Sequence, residues 1–191
     1  MADPEVRPTA RPATGGTPRV SLRPAYPGDA ALLQRWRTER SVRRHQPLST
    51  VTLAQLRADL AQQQIRDVYR GKGDKFQWIV LVDGDPAGWL TLVIGNWEHG
   101  LAEVGYALTS AHQRRGVMPA ALEQLLADLF LRTRLERIEA RCAVENLASQ
   151  KVLERVGFRH EGRLRGYFLL DGERVDNYLY AILGSDFLVK P

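Results

Sequence analysis

Residues 101–144, "LAEVGYALTSAHQRRGVMPAALEQLLADLFLRTRLERIEARCAV", change their hydrophobic period twice, and the fold follows from those changes. The ends, 101–108 and 137–144, read as strands. Between them Leu122, Leu125, Leu126, Leu129 and Phe130 recur at i, i+3, i+4, i+7 and i+8, one continuous apolar stripe on a helix. Strand, helix and strand in so short a span describe a parallel pair joined by a right-handed crossover. The helix opens near Pro119, whose missing N–H costs nothing in a first turn. Just before it, the backbone amides of Arg114, Arg115, Gly116, Val117 and Met118 have no intrahelical acceptor and sit at the positive end of the helix dipole. Gly116 lets a ligand come close to that backbone, so the turn can hold a pyrophosphate, with Arg114 and Arg115 adding charge. A plain strand-to-helix loop also needs a glycine and tolerates exposed arginines. This segment alone leaves both readings open.

Working outward toward the N-terminus, "FQWIVLV" and "AGWLTLVI" are strand-like runs separated by "DGDP", a hairpin turn, and residues 101–108 add a third strand to the meander. Upstream, "VSLRP" predicts a first strand. Asp29 is placed to cap a helix with apolar positions Leu32, Leu33 and Trp36. "TLAQ" reads as a capping box, with Thr52 as N-cap and Gln55 three residues on, opening a helix that buries Leu53, Leu56 and Leu60. Two helices are therefore expected between the first two strands. Toward the C-terminus, Asn146 is a good N-cap for a helix carrying Leu147, Val152, Leu153 and Val156; Gly157 suits a left-handed C′ position, with Phe158 packing back on Leu153. "EGRLRGYFLL", an Asp171-Gly172 turn and "ERVDNYLYAIL" predict a closing antiparallel hairpin. The fold class is mixed α/β.

With 191 residues the chain suits one domain, with residues 1–19, rich in Pro, Thr, Gly and Arg, expected as a flexible tail ahead of a folded unit over 20–191. A lone Cys142, the absence of an apolar signal core and the absence of a membrane-length apolar run predict a cytoplasmic protein without disulfides or a membrane partner. The net charge of +5 raises nucleic acid as a partner, but the arginines are scattered and no recognition motif accompanies them. His45, His99, His112 and His160 are dispersed at no ligand spacing, so no metal is expected.

Gln113-Arg114-Arg115-Gly116-Val117-Met118 resembles the Q/R-x-x-G-x-G/A coenzyme A loop of the GNAT acetyltransferases, with Met118 in place of the final small residue. "LRPAYPGDAALL", "AEVGYAL" and "VENLASQKVLERVGFRHEGRLRG" are similar to further segments of the RimJ/RimL-like branch, the ribosomal-protein alanine N-acetyltransferases, and the likeness covers roughly residues 20 to 185. It implies a GNAT fold, a mostly antiparallel twisted sheet with one parallel crossover, and acetyl-CoA as co-substrate. It also implies cofactor contacts from Tyr106, Ala107, Leu108 and the loop 113–118, with Asn146 on the pantetheine arm and Ser149 near the thioester sulfur.

Acetyl transfer to an amine needs a neutral amine, oxyanion stabilisation and a proton for the departing thiolate. Many GNAT enzymes supply that proton from a tyrosine in the helix after Asn146; the corresponding position here is Leu153, so Ser149 becomes the candidate donor, its bland alternative being support of the N-cap. Glu103 is the candidate base, alternatively a solvated strand carboxylate. An amide near Tyr106 or Ala107 serves the oxyanion if the fourth and fifth strands splay apart. Tyr167 is a candidate for the acceptor pocket or for simple packing. The expected acceptor is a primary amine, foremost a protein N-terminal α-amine. A small-molecule amine such as a polyamine or aminoglycoside, or coenzyme A binding with little turnover, is the alternative. A monomer or homodimer is expected.

Overall fold

Seven strands form the centre of the molecule: β1 (Val20–Pro24), β2 (Lys75–Val82), β3 (Asp85–Asn96), β4 (Leu101–Leu108), β5 (Arg137–Ala143), β6 (Arg159–Leu170) and β7 (Glu173–Leu183). They make one sheet in the order β1-β2-β3-β4-β5-β7-β6 in the computed structural model, which describes residues 18–48 and 50–189. All neighbours are antiparallel except β4 and β5, the pair joined by the crossover. The expected tail falls almost wholly outside the described residues; at the β2–β3 turn Arg19 O accepts from Asp83 N, and Arg19 N donates to the Asp83 carboxylate. That turn has Asp83 and Gly84 both at positive φ, 54° and 93°, as a two-residue hairpin connection requires. Asp171 and Gly172 repeat the device between β6 and β7, at 49° and 89°.

The expected two helices after β1 are four: α1 (Ala30–Arg37), α2 (Arg40–Arg43), α3 (Leu53–Gln62) and α4 (Ile65–Val68). Extended backbone at Glu39 separates the first pair, and at Gln63 the second. Gln63 leaves the helix because its carboxamide has other work. It accepts from Gln77 N and donates to Ala25 O, tying the helical segment to β1 and β2. Asp29 stands at the start of α1 but does not cap it. Its carboxylate instead takes both arms of the Arg23 guanidinium at 2.7 Å and the Tyr26 amide at 2.8 Å, and the Arg23 bonds hold it below the usual carboxylate range. Thr52 does cap α3, accepting from Gln55 N at 3.1 Å, but the Gln55 side chain turns to Asp59, so only half of the box forms.

Each face of the sheet has its own core. On one, α5 (Val117–Arg132) and α6 (Leu147–Val156) pack Leu122, Leu125, Leu126, Leu129, Leu153 and Val156 against Leu90, Leu92, Val104, Ile138 and Tyr180. Fully burying one such leucine contributes about 1.5–3 kcal/mol. On the other, Leu33, Trp36, Leu56 and Leu60 of α1 and α3 cover Ile79, Trp89 and Ala107, with Trp36 and Trp89 stacked at 6.2 Å. This second layer covers the β2–β4 part of its face. A short α7 (Gly184–Leu188), absent from the sequence reading, sets Phe187 against Phe130.

Candidate active site

β4 and β5 pair only at Leu101↔Arg137, Ala102↔Ile138 and Glu103↔Glu139, although both strands run on beyond those residues. They splay. Thr109 N donates to Ala87 O, which fixes the alternation of the β3–β4 ladder: Gly105 and Ala107 turn their backbone groups to β3, whereas Tyr106 and Leu108 turn theirs to the gap. Of the two amides singled out in the sequence, Tyr106 therefore faces the gap and Ala107 belongs to the ladder. Two carbonyls on the open edge are held by side chains, Tyr106 O by Gln46 at 2.8 Å and Leu108 O by Gln113 at 3.0 Å. Gln46, from the segment after α2, was not foreseen.

The loop after β4 enters α5 through two left-handed residues, Arg114 at φ 58° and Gly116 at φ 72°. Gly116 is the N-cap, offers no side-chain cap to the first-turn amides, and a Cβ built on it meets nothing within 4 Å. The amides thus open onto free space at the positive end of a sixteen-residue helix. Met118 does not crowd this turn, because it and Val117 point into the core at 4% and 1% exposure. A cavity of about 390 Å³ lies beside the turn, lined by Val20, Arg115, Gly116, Pro119, Glu123 and Arg155. Arg155, from α6, adds a second cation that sequence reading missed.

Across the gap, Asn146 caps α6 by accepting from Ser149 N at 3.2 Å, and the helix ends as expected, with Gly157 at φ 109° and Phe158 N bonded to Leu153 O. Leu153 is fully buried. The Ser149 hydroxyl is not engaged in capping. It lies 2.8 Å from the Tyr106 hydroxyl, so the side chain of a β4 residue reaches over the splay to the first turn of α6. Burial pushes the Tyr106 phenol well above its ordinary range, so it is a proton-bearing group at neutral pH. Cys142 lies on the same buried side, its thiol pushed up to about 11 by burial, and it stays a thiol.

The opposite face of β5 carries charge. Arg141 pairs with Glu103 and, at 3.1 Å, with Glu139; Arg137 bridges Glu139 and Glu161 at 2.9 and 2.5 Å. Glu103 thus stands at the last paired position of β4, committed to a guanidinium, while Ser149 stands on the far side of the sheet. β6 shifts register between Leu164 and Phe168, and that irregularity lays Tyr167 over Arg141, ring centroid to Cζ 5.5 Å. Among the described residues no His, Cys, Asp or Glu cluster could hold a metal ion, and no helix is long and apolar enough to cross a membrane.

Residues 19–159 match the acetyltransferase (GNAT) domain family. An uncharacterized N-acetyltransferase of Bacillus licheniformis, p20, is 29% identical over 172 residues, 90% of this chain and 96% of its own. The structure of Mycobacterium smegmatis RimJ with a coenzyme A disulfide superposes with a TM-score of 0.75 at 30% identity, over 87% of this chain and 82% of that one. A spermidine N-acetyltransferase from Vibrio cholerae, bound to coenzyme A and spermine, gives a TM-score of 0.77 at 23% identity, over 88% and 98%.

Proposed function

The chain belongs to the GNAT acetyltransferase family and is an acyltransferase, and from that premise we propose that it moves the acetyl group of acetyl-CoA to the free α-amine at the N-terminus of a protein or peptide. The residues present suit acetyl-CoA. The open amides of the α5 turn, with Arg114, Arg115 and Arg155 nearby, suit the pyrophosphate, and the gap between β4 and β5 suits the pantetheine arm, with Asn146 at its α6 side. The Tyr106 amide, directed into that gap, suits an oxyanion. The Tyr106 and Ser149 hydroxyls form a pair that can pass a proton to the departing thiolate, and Glu103 can take one from the amine on the other face.

The observation that favours an α-amine is the charge state of the acceptor face. Glu103, Glu139 and Glu161 are each ion-paired to Arg137 or Arg141. A polyamine needs unspent carboxylates for its several cations, whereas each of these three carboxylates is already held by one of two guanidiniums. An α-amine also needs the least help. Its pKa of about 7.7–8.0 against about 10.4 for lysine saves about 3 kcal/mol of deprotonation, which suits a site whose base is shared with an arginine. RimJ likeness supports the same reading.

The test compares kcat/KM for peptides with a free small N-terminal residue, for internal lysine peptides and for spermidine. Acetylation at the α-amine is expected to exceed acetylation at lysine. A value for spermidine a hundredfold above that for every N-terminal peptide would remove the proposal and leave the family assignment standing.

A further inference from the structure

Between Asp29 and Asp59 the sequence carries six arginines and one carboxylate, Glu39. The fold gathers three of those arginines around one opening. A cavity of about 360 Å³ lies between the C-terminal end of α1, α2 and the chain that follows α2, with Arg35, Arg37 and Arg43 in its wall beside Gln34, Thr38 and Thr50. Arg35, Thr38, Arg43 and Thr50 are exposed, so the cavity opens to solvent, and Gln34 Nε2 braces it by donating to Val51 O at 3.2 Å. Among the described residues no carboxylate lines it. Glu39 is turned to the Ser110 amide and the Ser41 hydroxyl, and neither Arg35 nor Arg43 takes part in a salt bridge among the described residues.

The cavity stands on the acceptor side of the sheet. Trp36 of α1 and Val42 of α2 share a core with Ala107 of β4, and Glu103, four residues before Ala107 on that strand, projects to the same face. From α2 the chain runs directly to Gln46, whose carboxamide holds Tyr106 O at the gap between β4 and β5. Arg43 precedes Gln46 by three residues, so their Cα atoms are at most about 11 Å apart. With the length of the Gln46 side chain added, a peptide whose amine lies at the gap reaches Arg43 within about six residues of extended chain.

We propose that this cavity binds a carboxylate side chain of the acceptor, an Asp or Glu carried a few residues beyond the N-terminal amine. The proposal rests on the reading of the acceptor as a peptide N-terminus and adds what selects among such peptides. A guanidinium has donors and no acceptor, and its fork matches a carboxylate, so Arg35 and Arg43 call for an anion and repel a lysine in the same place. A nucleic-acid backbone suits the cavity less well. It runs on past so small an opening, no aromatic ring lines the wall to stack a base, and Arg23, Arg132, Arg137, Arg141 and Arg163 are held in ion pairs instead of extending a cationic track. Arg35 and Arg43 dock the acceptor and touch no bond that changes, so their effect falls on KM.

The experiment moves one charge along the acceptor. At saturating acetyl-CoA, kcat and KM are measured for peptides with an N-terminal alanine in which a single Glu, Gln or Lys occupies each later position in turn, up to about the eighth. For the native protein a Glu at the matching position is expected to raise kcat/KM about tenfold over Gln, through KM with kcat unchanged, with Lys worse than Gln and the preference shrinking as salt is raised. Arg35→Glu combined with Arg43→Glu, its fold checked by melting temperature and acetyl-CoA affinity, is expected to reverse the order so that Lys is preferred over Glu. Glu and Gln equal at every position in the native protein overturn the pocket whatever the double variant does, and so does a folded double variant that keeps the native order. An RNA oligonucleotide that binds the native protein more tightly than the Glu peptide, displaces it and loses affinity in the double variant also overturns it, by giving these arginines to phosphates. Acetylation of every peptide's α-amine at one rate removes the pocket and leaves the N-terminal reading intact, whereas spermidine outrunning every peptide removes that reading and the pocket with it.

Discussion

In the proposed mechanism Tyr106 serves twice, through an amide that faces the gap between β4 and β5 and through a phenol that meets Ser149 at 2.8 Å. Burial raises the phenol's pKa from its ordinary value of about 10. The sign follows: the neutral, proton-bearing form persists through all of the usual assay range, so titration of this group causes no alkaline loss of kcat below pH about 10. Tyr106→Phe and Ser149→Ala are each expected to lower kcat by about tenfold, since a thiolate leaves without much help, with KM for acetyl-CoA nearly unchanged. If the two hydroxyls work as one relay, the double variant is no slower than the worse single one. Normal kcat with a reduced melting temperature in Ser149→Ala would take the hydroxyl out of the chemistry. Neither partner announces this pairing in the sequence, because it joins positions 106 and 149 through a splay that no local pattern encodes.

The α5 turn is the part of the site most open to reading from sequence, and it is also the easiest to test. Gly116→Ala keeps open space around its new Cβ but forces a left-handed backbone on alanine, so a stability loss of about 1 kcal/mol is expected with acetyl-CoA affinity largely kept. Gly116→Glu places negative charge against the amides and is expected to abolish binding by calorimetry; unchanged affinity in that variant, once folded, would dismiss the pyrophosphate role. The turn was legible because helix start, glycine and arginines are consecutive. The strands β2 to β5 were legible as strand-like apolar runs, and α5 through its stripe. What escaped were elements too short to show a period, α2 and α4 at four residues and α7 at five. Asp29 escaped for another reason. Its capping role was outcompeted by Arg23, and a charge partner six residues back is invisible to a rule about caps.

The sheet divides into a meander and a C-terminal half that touch by parallel pairing at three positions, and the gap beyond them is a testable property of the fold. In hydrogen exchange without ligand, the amides of Tyr106 and Leu108 are expected to exchange faster than those of Gly105 and Ala107, which sit in the β3 ladder, and to slow when acetyl-CoA is added. Protection of Tyr106 that acetyl-CoA leaves unaltered would argue against a ligand in the gap. The strand order has a consequence in time as well as in space. β7, the last strand to be made, lies inside the sheet between β5 and β6. A chain emerging from the ribosome at about 5–20 residues per second therefore presents β5 with a bare edge for a few seconds while residues 144–172 follow. β6 reaches that edge first. Its breaks in register, after His160 and after Leu164, fit it poorly to a regular neighbour, so the vacancy is kept for the strand that arrives later.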